Sequence, residues 1–310
     1  MIHPVLLAFV VDLIVGDPVF FPHPVALIAR AVSWLESKLR KRASKPSAQM
    51  LGGGLLWFVV VSGSYLVTHT LISLAARHSV LASYALEVWL ISTTVAVRGL
   101  LKAGLRVKSF IESGDLKASR RAVAEIVGRD TQNMSQTQVM RAMLESVAEN
   151  SVDGIIAPLF YAALGGAPLA MAYRAINTMD SMLGHKDAHN LHFGRPSAKL
   201  DDLANFIPAR LTGAAMCVAA FVLRLDAKAA VSAWVCDARK HPSPNAGIPE
   251  ACAAGALGIR LGGLNYYRGI PEMRAYMGSG RTELRTSDAD ALFKMVILAS
   301  CLVLFVLVLI

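Results

Sequence analysis

The chain predicts an all-α, polytopic integral membrane protein with a cytoplasm-facing helical domain and re-entrant helices, and three observations predict it. Its 310 residues are 55% hydrophobic and only 17% charged, with a mean hydropathy of +0.48. A soluble domain is about a quarter charged, so this balance belongs in a bilayer. Uncharged runs recur at helical length, and Lys and Arg gather in the loops beside them. Between Gly128 and Arg210, by contrast, carboxylates, amides and glycines are packed together.

Ile2 to Val15 reads as a short first span carrying Asp12, retained in the membrane rather than cleaved, because it lacks a basic leader and a small-residue cleavage site. Gly16-Asp17-Pro18 and Pro22-His23-Pro24-Val25 follow as a polar turn that stops a helix at the interface, and 42–49 reads as a linker. Leu51 to Ala76 has 26 residues without a formal charge, enough to cross about 30 Å of hydrocarbon. Ser79 to Val97 is the next span. Its Glu87 costs on the order of 2.5–3.5 kcal/mol, roughly offset by its Leu, Ile and Val residues. Arg77 and His78 join these two runs into an antiparallel hairpin.

Ile155 to Tyr173 is long enough to span, but Gly165-Gly166-Ala167-Pro168 interrupts it. Glycines followed by proline break a helix, so two short re-entrant helices are expected. Re-entry also keeps the carboxylates before and after it on one side. Leu211 to Leu223 is a shorter apolar stretch entered through Pro208 and Arg210. Met295 to Ile310 is the last span, with Lys294 able to snorkel at its base. Four spans are favoured in a single membrane domain: 1–97 mainly transmembrane with a basic loop, 98–290 a catalytic helical region, and 292–310 the C-terminal helix. Six Lys/Arg against one Glu in 30–45, and eight against three acids in 98–129, place both loops in the cytoplasm. The protein is therefore expected in the cytoplasmic membrane.

The net charge of +9 raises the question of nucleic acid. No zinc-finger, helix-turn-helix or RNA-binding signature accompanies it, so no nucleic-acid partner is expected. Cys217, Cys236, Cys252 and Cys301 form no C-x-x-C pair and read as apolar core residues or free thiols.

Asp130, Glu145, Glu149, Asp153, Asp180, Asp201 and Asp202 stand out, because carboxylates beside apolar runs are costly to place and mark function. Ser135 and Gln138 form a capping box, and Val139, Met143 and Val147 an apolar stripe behind it. Glu145, Glu149 and Asp153 then share one helical face. Such a face either holds a hard cation or is a solvated surface with Arg141 paired to Glu145. Arg174, Asn177, Asp180 and Ser181 share another face, suited to a metal or phosphate or to helix–helix glue. Asp201, Asp202 and Asn205 repeat the theme. His185, His189 and His192 read as solvated. His241-Pro-Ser-Pro-Asn-Ala-Gly is a rigid turn presenting His241, Ser243 and Asn245. Gly255, Gly258, Gly262 and Gly263 follow it, a weak phosphate-loop signal.

These strings resemble the adenosylcobinamide-phosphate synthase family of cobalamin biosynthesis. The resemblance runs through DLIVGDPVFFPHPVALI (Asp12–Ile28), GRDTQNMS (Gly128–Ser135), ESVAENSVDGIIAPLFYAALGGAP (Glu145–Pro168) and YRAINTMDSMLGHK (Tyr173–Lys186). It continues through LDDLANFIPARLT (Leu200–Thr212), DARKHPSPNAGIPEA (Asp237–Ala251) and GALGIRLGG (Gly255–Gly263), nearly the whole chain. The resemblance implies an acid–amine ligase in the lipid bilayer. It would join the free carboxylate of the corrinoid adenosylcobyric acid to the amine of (R)-1-aminopropan-2-ol phosphate or ethanolamine phosphate, using ATP and Mg2+. It also leaves room for association with other membrane enzymes of corrinoid synthesis.

Residue roles are inferred from chemistry rather than carried over from the family. Glu145, Glu149 and Asp153, with Asp130, Asp180 or Asp201, would hold Mg2+ and ATP. Arg129, Arg174, Lys186 and Arg239 would contact phosphate, with Asn133, Asn177 and Asn205 as further substrate or nucleotide contacts. His241, Ser243 and Asn245 would orient one substrate, and His241 or a carboxylate would take the ammonium proton. Between Lys186 and Phe193 the chain departs from the family pattern, so the histidines there inherit no role. A lipid-alcohol phosphotransferase would show a D-x-x-D-G repeat, and a transporter paired inverted repeats; the sequence has neither.

Overall fold

Proline opens the first three helices, where the missing N–H is one that a first turn leaves unbonded anyway. The computed structural model describes residues 2–16, 23–41, 45–185 and 189–309. In chain order α1 is Pro4–Ile14, α2 Pro24–Arg40, α3 Pro46–His78, α4 Val80–Ser92, α5 Val97–Glu112, α6 Leu116–Ala124 and α7 Gln136–Ser151. A π-helical turn, Val152–Ile156, leads into α8 (Ala157–Leu183), α9 (Arg195–Ala204), α10 (Phe206–Val222) and α11 (Ala227–Asp237). A short 3-10 turn at Ala238–Lys240 precedes α12 (Gly247–Leu257), the strands β1 (Leu261–Tyr267) and β2 (Ile270–Met277), and α13 (Thr286–Leu309).

The expected polytopic helical architecture is present, with one β-hairpin added. Among the described residues four runs are long and apolar enough to cross a bilayer: Pro46–His78, Val80–Glu112, Gln136–Leu183 and Thr286–Leu309. The pair α9 and α10, bent by 47°, would make a fifth. The number matches the four expected, but the membership differs. With 11 residues, α1 reaches only about 17 Å, short of the hydrocarbon thickness, so Ile2–Val15 is not a span of its own. The run through α7 and α8 takes its place in the count. The polar turn at 17–22 lies outside the described residues, except that His23 caps α2 by accepting the Val25 N–H at 3.3 Å.

The chain divides into two units. One comprises Met1–Ala96, Ala157–Asn205 and Leu307–Ile310; the other comprises Val97–Ile156 and Phe206–Val306. The region 98–290, expected as one helical body, is thus shared between them. In the first unit α3 packs along α8, with α4 beside both and α1, α2 and α9 around them. The α3–α4 hairpin turns at Ser79 alone, since Arg77 and His78 complete α3. Ser79 has extended backbone and accepts the Ala82 N–H at 3.3 Å.

The predicted break in α8 falls at Gly165 (φ −153°, ψ 26°) and Gly166 (φ 64°, ψ −161°). Only glycine takes the second conformation without strain. It also brings backbone close to Glu87: a Cβ at Gly166 would lie 2.5 Å from Glu87 Oε1. The acid that interrupts the second apolar run therefore sits against the broken turn, where backbone N–H groups are released from the helix ladder.

In the second unit α5, α6 and α7 pack together, and α10, α11 and α12 form a second group. Asp115 and Asp226 cap α6 and α11, accepting the Ala118 and Ala229 N–H groups at 2.8 Å each. The Ser135–Gln138 capping box is present as predicted. Lys108 on α5 bonds both oxygens of Asp290 on α13, at 2.7 and 2.8 Å. The strands pair antiparallel around the two-residue loop Arg268-Gly269, with φ of 52° and 79°. Positive φ at both loop positions gives the twist that a tight hairpin needs.

Candidate functional site

Each unit carries a buried polar centre. In the second unit the centre forms where α7 meets the hairpin. Glu145, on the inner face of α7, pairs with Arg129 and stands 3.7 Å from Arg141 Nε. Its Oε1 accepts the Gly262 N–H at 2.7 Å. That contact needs Gly262 to be glycine, because its φ is 88° and a Cβ would strike the Ala275 carbonyl. Asn265, buried in β1, accepts from Arg129 Nη1 at 2.6 Å and Arg141 Nη2 at 2.9 Å. Two guanidinium groups are thus aligned by one carboxylate and one amide.

Arg274 of β2 extends the centre. Its Nη1 lies 3.3 Å from His241 Nε2. A guanidinium can only donate, so Nε2 accepts from Arg274, while Nδ1 lies 3.1 Å from the Ser243 N–H and 3.2 Å from the Ser243 carbonyl. Burial pulls the His241 pKa below its ordinary value, with the Arg274 charge acting in the same direction. The imidazole is therefore neutral at neutral pH. Glu250 of α12 is 3.7 Å from the same Nε2. Its burial, reinforced by the carboxylates of Glu145 and Glu149, pushes its pKa well up. Three buried donors here have no hydrogen-bond partner among the described residues: Arg141 Nε, Arg274 Nε and Asn265 Nδ2.

The first unit's centre lies between α8 and α9. Tyr173 donates to Asn205 Oδ1 at 2.9 Å, and Asn205 Nδ2 donates to Asp201 Oδ2 at 3.0 Å. Tyr161 stacks on Tyr173 with ring centres 5.0 Å apart. Arg174 Nη1 donates to Asn177 Oδ1 at 3.2 Å. Asp180 and Asp202 lie within electrostatic reach of Asp201. Asp201 Oδ1 is buried with no hydrogen-bond partner among the described residues. The spacing of the YRAINTMD and LDDLAN strings therefore does bring Asn177, Asp180, Asp201 and Asn205 together.

Other expected residues are placed differently. The triple-carboxylate face of α7 does not form a metal cluster: among the described residues no group of three or more His, Cys, Asp or Glu is arranged to hold a metal ion. Glu145 is committed to arginine, the alternative that the i,i+4 spacing to Arg141 allowed, and Asp153 sits on the π-helical turn rather than in the regular helix. Glu149 is half-buried on α7. Asp130 uses both carboxylate oxygens on the hairpin loop, accepting from Arg268 N–H at 3.1 Å and Gly269 N–H at 2.7 Å. Asn133 is exposed in a turn, as are His185 and His189 on the loop after α8. Lys186 lies outside the described residues. Arg239 is exposed, and Asn245 is buried and accepts from Arg210 Nη1 at 3.3 Å.

The Mg2+ implied by the sequence can be tested against these donors. Mg2+ is usually held by one or two carboxylates, water and substrate phosphate rather than by an all-protein cage. Asp180 and Asp201, with the unbonded Oδ1 and the amides of Asn177 and Asn205, fit that pattern. The Glu145 centre does not, because its carboxylate is already neutralised by arginine.

Sequence reasoning missed Glu250 of α12, and Asn265 and Arg274 of the strands. The last two depend on the hairpin, whose glycines read as a phosphate loop and whose Arg-Gly turn lacks the usual Asn-Gly signal. The alternation in Leu264-Asn265-Tyr266-Tyr267 was the available clue.

The model of the CobD/Cbib protein family matches residues 5–296. The chain belongs to that family. Among its relatives is the cobalamin biosynthesis protein CbiB of Salmonella typhimurium (strain LT2), 41% identical over 302 residues, which are 97% of this chain and 95% of that protein. The cobalamin biosynthesis protein CobD of Klebsiella pneumoniae subsp. pneumoniae is 41% identical over 297 residues, 96% of this chain and 93% of that protein. The cobalamin biosynthesis protein CobD of Photorhabdus laumondii subsp. laumondii is 42% identical over the same length, with the same 96% and 93% coverage. No solved structure matches this CobD/Cbib family chain.

Proposed function

We propose that the protein acts in cobalamin biosynthesis as an acid–amine ligase, joining adenosylcobyric acid to (R)-1-aminopropan-2-ol phosphate or ethanolamine phosphate with ATP. The observation that carries the pathway is the relatives' shared name over nearly the full chain. The site chemistry supports the reaction type.

A carboxylate is a poor acyl donor and must first be activated. One of its oxygens attacks the terminal phosphorus of ATP, forming an O–P bond as the bond to ADP breaks. The amine then attacks the acyl carbon; a C–N bond forms, the C–O bond breaks, and phosphate departs with the electron pair. Arg129, Arg141 and Arg274 offer fixed positive charge, and Arg141 and Arg274 each an unbonded Nε–H, to the oxyanions of both steps. His241, held neutral, takes the ammonium proton on Nε2 in exchange for the Arg274 hydrogen bond. In the first unit, Asp180 and Asp201 would hold Mg2+, which when bound supplies charge neutralisation to phosphate oxygens. The active region faces the cytoplasm in this reading, where nucleotide is supplied and where the basic loops place it.

Detergent-purified protein, incubated with adenosylcobyric acid, each aminoalcohol phosphate, Mg2+ and ATP, should yield the condensed product by mass spectrometry, and none when ATP is omitted. Product without ATP would exclude this mechanism. Folded, nucleotide-binding protein that forms no product with either amine would overturn the assignment.

A further inference from the structure

A cavity of about 640 Å³ opens beside the His-Pro-Ser-Pro turn in the second unit. Arg210, Arg239 and His241 line it, among apolar walls that include Trp234, Pro242 and Ile248. The lining contains two guanidinium groups and no carboxylate. Among the described residues Arg210 bonds only neutral oxygens, the Phe206 carbonyl at 2.6 Å and Asn245 Oδ1 at 3.3 Å. Arg239 reaches only the Val235 carbonyl, at 3.4 Å. The nearest acid in sequence, Asp237, is already engaged by Lys240 Nζ at 2.6 Å and the Gly278 N–H at 2.9 Å. Two uncompensated arginines on apolar walls make an anion site, and guanidinium geometry favours phosphate.

We propose that Arg210 and Arg239 anchor the phosphate of the small amine substrate in this cavity, leaving its amine to meet His241 on the same wall. The assignment rests on the ligase reading above and deepens it. It explains why a rigid turn carries His241: two prolines fix the backbone between the proton acceptor and Asn245, which bonds the anchor Arg210. Asn245 holds Arg210 in place, so it positions the anchor rather than touching the reacting atoms. Arg210, which the sequence marked only as the entrance to an apolar stretch, becomes a specificity residue.

The test measures binding of O-phosphoethanolamine, and of ethanolamine as its phosphate-free control, to detergent-purified protein by calorimetry, alongside turnover. Wild type should bind the phosphorylated amine and not the control. Arg210→Gln and Arg239→Gln should each weaken that binding about 10- to 100-fold, raising KM for the amine while KM for ATP stays level. Arg239→Lys should recover part of the loss, because it restores charge without the fork. Unchanged amine binding in both glutamine variants would overturn the proposal. So would displacement only by anionic phospholipid vesicles and not by the free phosphorylated amine, which would make this a lipid headgroup site. Because binding is read without turnover, the anchor can stand if no ligase activity is found, and can fail while the ligase reading survives.

Discussion

Where the second unit's buried centre is built on arginines, the first unit's is built on carboxylates. The α7–hairpin centre brings Arg129 and Arg141 against Glu145, with Arg274 beside His241, and leaves three N–H groups unbonded. The α8–α9 centre brings Asp180, Asp201 and Asp202 within reach of one another, and leaves a carboxylate oxygen unbonded. Both contain buried carboxylates, yet the partners give them different tasks. Glu145 is satisfied by Arg129 and the Gly262 N–H, and in the proposed reaction it would orient the arginines. Asp201 is unsatisfied and suits a cation. A list of acidic residues could not separate these roles, because the separation lies in what each acid touches.

The largest effect that sharpens the contrast should come from Glu145→Gln. The amide keeps the shape but leaves two guanidinium groups without their buried counter-charge, a loss of about 3–5 kcal/mol. Thermal unfolding in detergent should show it as a sharply lowered midpoint. A normal midpoint would mean that the arginines need no carboxylate, and the arginine centre would lose its organising element.

His241→Ala should lower kcat by about 10²- to 10⁴-fold, the usual contribution of a general base, with far less effect on folding. Wild-type turnover should hold as pH falls through the ordinary imidazole value near 6.5 and decline only below it, because burial lowers the His241 pKa. The linkage has the matching sign. The unfolded chain takes up this proton at higher pH than the folded one, so His241 subtracts stability below about pH 6.5 and none above it. A decline beginning above pH 7 would assign the base elsewhere.

Asp201→Asn in the carboxylate centre should behave oppositely to Glu145→Gln. It removes a buried carboxyl group crowded by Asp180, so the unfolding midpoint should stay level or rise. Activity should fall about 10- to 100-fold, with a higher Mg2+ requirement. Loss of stability without a change in the Mg2+ titration would make Asp201 structural. The smallest effect belongs to Glu250→Gln. Burial and two neighbouring carboxylates favour the protonated form of Glu250, which an amide mimics, so stability should change by less than about 1 kcal/mol. A large loss would show that Glu250 is ionised and paired with Arg274.

Features written in local chemistry were legible in the sequence. The Ser135–Gln138 capping box, the break at Gly165-Gly166, the uncharged run of α3 and the shared faces of Asn177 with Asp180 and of Asp201 with Asn205 follow from spacing over a few residues. What required the fold was pairing over long separation. Glu145 meets Gly262, and Arg129 meets Asn265, across more than a hundred residues, and no periodicity reports that. The hairpin itself was hidden because its strands are short on β-branched residues and its loop is Arg-Gly. Glu87 seemed an expense in an apolar run until the released backbone of Gly166 appeared beside it.

The central claim is that the corrinoid carboxylate is activated by phosphoryl transfer before the amine attacks. Adenosylcobyric acid carrying heavy oxygen in its free carboxylate tests this directly, with the inorganic phosphate released during turnover analysed by mass spectrometry. The account predicts one labelled oxygen in that phosphate for each amide formed. Label retained wholly in the corrinoid, or found in AMP, would contradict it.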